Sequence, residues 1–233
     1  MFHLETHMKT TKTLSWISGV YWSARDMDDS PFGNHHFITF IYDSLDQANR
    51  ITKKWAIKYF SEVNDKGISV LYTTVGIGKD GKKSGKIIFG FTPGSDRKAI
   101  HEIAKDENTS WDNPDADYEG HRIHCDDSRS SITSNEILMD EILQRVFNFN
   151  AHHNIGETVD YCLIDENCAT GVNSIFRVLG FPLELRKKLG EFNGIDWGEE
   201  DKIPGRYFAP LQGLEAKISY PGIESSWLSI LLS

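Results

Sequence analysis

Two β-patterned runs with a turn between them constrain this chain most. Ile68–Val75 (ISVLYTTV) and Lys86–Thr92 (KIIFGFT) flank Gly76–Gly85 (GIGKDGKKSG), whose Asp80-Gly81 pair is a strong hairpin signal. Two such runs joined this way pair with each other antiparallel. A third run, His36–Tyr42 (HFITFIY), is aromatic and β-branched and follows the turn Ser30-Pro31-Phe32-Gly33-Asn34, so it reads as a buried strand. Helical patterns alternate with these strands. Leu45, Ala48, Ile51, Trp55, Ile57, Tyr59 and Phe60 predict an amphipathic helix from Ser44 to about Val63, ended by Gly67. Thr133-Ser134-Asn135-Glu136 has the form of a capping box, opening a helix with Ile137, Leu138, Ile142, Leu143, Val146 and Phe147 on one side and closed by Asn150–Gly156. The fold class expected is α+β, an antiparallel sheet packed against helices.

Length and composition bound the rest. The 233 residues, 39% hydrophobic and 25% charged, suit one domain with a substantial core and exclude disordered, collagen-like and disulfide-scaffold classes. A net charge of −9 without a sustained Lys/Arg run argues against nucleic acid as a partner. Lys79, Lys82, Lys83 and Lys86 sit among glycines and read as a solvated hairpin tip. No stretch approaches the roughly 20 apolar residues of a bilayer span, so no integral membrane segment is expected. The start, MFHLETHMKTTKTLSW, lacks the basic-then-apolar form of a secretory signal. Cys125, Cys162 and Cys168 are too few and odd in number for a disulfide framework. Glu107–Gly120 is acidic and Asn-rich and reads as a loop, and after Gly194 the pattern weakens into a C-terminal extension wrapped on the same domain.

The chemistry concentrates in Tyr161–Pro182. Val172, Ile175, Phe176 and Leu179 define one face of a helix stopped by Gly180 and Pro182, and four residues before Val172 stands Cys168. Cys168 therefore lies on the buried stripe at the first turn, directly after Asn167, a good N-cap. Unpaired amides and the positive dipole end favour a thiolate there, and the same amides can hold an oxyanion. The plainer reading is a small buried apolar residue. A base is available in His35-His36 at the entrance of the third strand, where the pleat sends the two rings to opposite faces. His152-His153 falls in a polar turn after a helix and reads as a solvated pair. His121, His124 and Cys125 lack a second Cys pair at zinc spacing, so no metal is expected.

Taken together, His35-His36-Phe37-Ile38, Gly90-Phe91-Thr92-Pro93, the helix from Thr133, and Tyr161-Cys162-Leu163 leading to Asn167-Cys168 resemble the circularly permuted NlpC/P60 branch of the papain-like cysteine peptidases and amidases. The resemblance covers about residues 30–182, with 183–233 as the extension of a single domain. It implies Cys168 as nucleophile and a base in the His35-His36 pair, with His35 favoured and His36 open. A third polar residue orients the imidazole in this family; Thr92 is the first candidate, with Ser95 and Asp96 behind it. No cofactor is implied. Members include peptidoglycan hydrolases delivered by type VI secretion, so the expected substrate is an amide in peptidoglycan stem or crosslink peptides. The expected partners are a cognate immunity protein and a secretion-apparatus delivery protein. The expected life history is synthesis in the cytoplasm and action in a target cell's periplasm. The alternatives are a lecithin:retinol-type lipid acyltransferase or thioesterase, and a non-catalytic binding module.

Overall fold

The computed structural model describes residues 17–26, 34–63, 69–79, 85–105, 118–128, 132–160, 168–190 and 203–211. Among these residues the sheet has six antiparallel strands: β1 (Gly19–Asp26), β2 (Asn34–Ile41), β3 (Phe60–Val63), β4 (Ser69–Lys79), β5 (Ile87–Phe91) and β6 (Tyr118–Ile123). Their order is β3-β4-β2-β1-β6, with β5 also paired to β4. A strand has two edges, and β2 takes one edge of β4. The first half of the other edge pairs with β3 (Val63↔Ser69 to Phe60↔Tyr72) and the second half with β5 (Val75↔Phe91 to Lys79↔Ile87). The expected β4–β5 hairpin is present, with β4 running four residues past Val75; its Asp80-Gly81 tip lies outside the described residues.

Among the described residues the α-helices are α1 (Leu45–Trp55), α2 (Gly94–Lys105), α3 (Asn135–Asn154), α4 (Cys168–Val178) and α5 (Leu183–Leu189). Alternation along β2 and β4 separates the two faces of the sheet. Ile38, Phe40, Val75 and Ile77 join the main core with Ala48, Ile51 and Trp55 of α1, Leu138, Ile142 and Val146 of α3, and Val172, Ile175 and Phe176 of α4. The opposite face is packed in part by α2, which lies against β3 and β4. Residues beyond 182 extend this core: Leu189, Ile203 and Phe208 are buried in it. The sheet also reaches earlier than residue 30, because β1 pairs along its whole length with β2.

Several expected boundaries move. The first helix stops at Trp55 rather than near Val63, because Ala56 turns left-handed (φ 52°) and Phe60–Val63 pairs with β4 as β3. The cap of α3 is one residue later than the capping box proposed: the Ser134 hydroxyl accepts from the Ile137 N–H at 3.2 Å. Glu136 turns instead to Arg50 and Gln47 of α1. Tyr118–Gly120, read as loop, is part of β6; residues 106–117 lie outside the described residues. His152 is not solvated. It is buried in the last turn of α3, with Nδ1 2.7 Å from Glu157 Oε2 and Nε2 3.0 Å from the Ala209 carbonyl oxygen. No helix among the described residues is long and apolar enough to cross a membrane.

Candidate functional site

Cys168 is the first residue of α4 and is buried, as the helical count from Val172 requires. Its helix is seated on the sheet through Gly171. A Cβ there would stand 1.8 Å from Ile77 Cδ1 of β4, so only glycine allows the observed approach without moving Ile77. Seated this way, Cys168 Sγ accepts a hydrogen bond from the backbone N–H of His36 at 3.3 Å. That nitrogen belongs to the peptide joining His35 to His36. The nucleophile candidate thus lies against the backbone of the histidine pair, on which both rings are carried. Asn167, its expected N-cap, and Tyr161-Cys162 lie outside the described residues.

The two histidines have different surroundings. His36 shares the parity of Ile38 and Phe40 and is fully buried. The Trp22 indole N–H donates to His36 Nδ1 at 3.0 Å, and Trp22 in turn stacks on Phe176 of α4 with ring centroids 5.4 Å apart. Because Nδ1 is an acceptor in that bond, a neutral His36 carries its proton on Nε2. Trp22 thus occupies the Nδ1 lone pair of His36 within the core. His35 points to the opposite face, stacked on Phe37, with its side chain 13% exposed. Its Nε2 lies 3.6 Å from Asp96 Oδ1, a separation that closes to a hydrogen bond with a shift of a few tenths of an ångström.

Asp96 stands in the first turn of α2, four residues beyond Thr92. Thr92 itself does not meet the imidazole. Its hydroxyl accepts from the Thr74 N–H at 3.0 Å and its own N–H donates to the Thr74 carbonyl at 3.0 Å. Its φ of 47° is unusual for a β-branched residue and turns the chain from β5 into α2. The turn brings Asp96 over Gly76 of β4, where a Cβ would lie 3.0 Å from Asp96 Oδ2 and 3.6 Å from His35 Nε2. Gly76 therefore leaves the space in which carboxylate and imidazole meet. Asp96 is fully buried, and the Arg25 Nε–H of β1 donates to its Oδ1 at 3.0 Å. Among the described residues Asp96 Oδ2 has no hydrogen-bond partner at bonding distance, although the Thr74 and Ser95 side chains lie close enough to favour its ionised form.

Burial dominates the protonation of all three groups. It pushes the Cys168 thiol up to about 11, against the opposing pull of the His36, Ala169 and Cys168 N–H groups. The thiolate expected from the helix terminus alone is thus outweighed by desolvation in the resting protein. Burial also lowers His35 to about 3, with the positive charge of Arg25 acting in the same direction. It raises Asp96 to about 6, with Arg25 opposing. At neutral pH the resting set is a thiol, a neutral imidazole and a carboxylate paired to a guanidinium.

No family model, curated protein or solved structure matches this chain. The functional reading therefore rests on the chemistry of these residues. The structure brings together Cys168 and the His35-His36 backbone, and adds Asp96, which the sequence offered only behind Thr92, and Arg25, which it did not offer. Arg25 is 71 residues from Asp96, and no local pattern joins them. Of the other sequence candidates, His121 is committed elsewhere, its Nδ1 2.7 Å from the Leu189 carbonyl oxygen.

Proposed function

We propose that this protein is a cysteine hydrolase that cleaves an amide bond, built as a permuted NlpC/P60-like, papain-like domain, with Cys168 as nucleophile, His35 as general base and Asp96 as the group that orients His35. The observation that carries this reading is the contact of Cys168 Sγ with the His36 N–H, at 3.3 Å, on the peptide that follows His35, whose own Nε2 lies 3.6 Å from the buried Asp96 carboxylate.

The resting thiol and imidazole are both neutral, so proton transfer accompanies attack instead of preceding it. As Sγ bonds to the substrate carbonyl carbon, the thiol proton passes to His35 and the developing imidazolium is met by Asp96. Amides at the start of α4 hold the oxyanion. The C–N bond then breaks as the imidazolium gives its proton to the leaving amine. Water, deprotonated by the imidazole, attacks the thioester, releases the carboxylic acid and restores the thiol.

The substrate we assign, following the resemblance, is an amide of a peptidoglycan stem or crosslink peptide, met in the periplasm of a target cell. The test is expression in bacteria with the chain directed to the periplasm. Wild type is expected to lyse the host, and Cys168→Ala, present at equal level, to be harmless. Undiminished toxicity of Cys168→Ala would overturn the proposal.

A further inference from the structure

Asp96 Oδ1 serves two neighbours at once, Arg25 Nε at 3.0 Å and His35 Nε2 at 3.6 Å. Arg25 and His35 are cross-strand partners in the β1–β2 register, so their side chains leave adjacent strands on the same face and converge on one carboxylate. Among the described residues, the charged and titratable groups acting on or with Asp96 are Arg25 from β1, His35 from β2 and the Cys168 thiol of α4, whose ionisation Asp96 opposes; Thr74 and Gly76 of β4 and the neighbouring Ser95 carry no charge.

What a carboxyl can do for an imidazole depends on its own proton. A carboxylate only accepts, whereas a carboxylic acid also donates. Resting on the reading of His35 as base, we propose that Arg25 is a positioning residue that sets the tautomer of His35. By keeping Asp96 a carboxylate in a buried place, Arg25 leaves it an acceptor only. A neutral His35 then carries its proton on Nε2, toward Asp96, and its Nδ1 lone pair is free to receive the thiol proton. Without Arg25, burial neutralises Asp96, its O–H donates to Nε2, and the proton of the neutral ring moves to Nδ1. The base is then capped. The same arrangement explains why a cation that lowers the proton affinity of His35 is placed beside it: its effect passes through Asp96.

The test reads the tautomer directly and needs no substrate. In protein labelled with 15N-histidine, ring nitrogen resonances distinguish Nε2–H from Nδ1–H, and among the nine histidines His35 is assigned by its loss in His35→Gln. Wild type at pH 7.5 is expected to show Nε2–H. Arg25→Gln is expected to shift the Nε2–H to Nδ1–H ratio by at least about tenfold toward Nδ1–H, since a neighbouring cation moves a carboxyl by one unit or more. Arg25→Lys, which keeps the charge, is expected to retain the wild-type tautomer. Wild type titrated downward through about pH 6, where Asp96 takes its proton, supplies the same readout without a mutation. A His35 that stays Nε2–H in Arg25→Gln, or through the wild-type titration, overturns the proposal. So does an Arg25→Lys that behaves like Arg25→Gln. These outcomes are independent of toxicity, so a failure here is distinguishable from a failure of the hydrolase reading, which the Cys168→Ala experiment decides.

Discussion

Replacing Gly171 by alanine tests how the nucleophile candidate is seated. In an exposed helix the change stabilises by about 1 kcal/mol, because alanine loses less backbone entropy. In α4 the new methyl would lie 1.8 Å from Ile77 Cδ1, 3.2 Å from Ile77 Cγ1 and 3.6 Å from Phe89 Cζ. Ile77 and Phe89 are both buried in the main core, so the δ-methyl has no open space to enter. Overpacking of this kind costs about 1–3 kcal/mol. Set against the helix gain, Gly171→Ala should destabilise by about 1 kcal/mol. Ile77→Val removes the clashing Cδ1 and alone costs about 1 kcal/mol. In that background Gly171→Ala should become stabilising, giving a coupling of about 2 kcal/mol in a double-mutant cycle. Urea unfolding midpoints of the four proteins, at a common m-value, measure it. A Gly171→Ala that stabilises wild type by about 1 kcal/mol, with no coupling to Ile77, would refute the argument that glycine is what lets α4 reach the sheet.

Two further predictions concern the buried charges. Raised from 3.8 to about 6, Asp96 holds a proton in the folded chain that the unfolded chain has released, so its contribution to stability falls as pH rises from about 4 to about 6. His35, lowered from 6.5 to about 3, acts the other way: the unfolded chain holds the extra proton, and stability is lost as pH falls through that window. The two oppose each other between pH 4 and 6. Relative to wild type, His35→Ala should therefore lose about 1.4 kcal/mol per unit as pH rises across that range, measured by urea unfolding at each pH; a slope of the other sign contradicts the assignment. Gly76→Ala puts a methyl 3.0 Å from Asp96 Oδ2. It should leave the chain folded by circular dichroism while cutting hydrolysis about tenfold or more, through displacement of the carboxylate behind the base; unchanged hydrolysis would remove Asp96 from the site.

How much of this was legible in the sequence depends on whether the signal was local. β2, β4, β5, α3 and α4 each carry their own periodicity and turn residues, and the β4–β5 pairing follows from the short connection between them. Cys168 could be placed because a helical count needs only four residues. By contrast, Pro93-Gly94-Ser95-Asp96 reads as the end of a strand, and the same residues begin α2, so the helix that carries Asp96 was missed. β3 was hidden because Tyr59 and Phe60 continue the apolar spacing of α1 past the left-handed Ala56. The choice between His35 and His36 turns on what each ring meets, Trp22 for His36 and Asp96 for His35, and parity alone does not reveal those partners. Trp22, which occupies His36 Nδ1, and Arg25, which pairs with Asp96, both come from β1, a strand for which the sequence analysis made no claim.

The central claim is that Cys168 forms and releases an acyl group taken from a peptide amide. Purified wild type and Cys168→Ala, incubated side by side with muropeptides and read by mass spectrometry, test it most directly. The account predicts fragments with a new amino and a new carboxyl terminus, one water heavier in sum than the parent, from wild type alone. Identical fragments from Cys168→Ala, or intact muropeptides with both proteins, would contradict it.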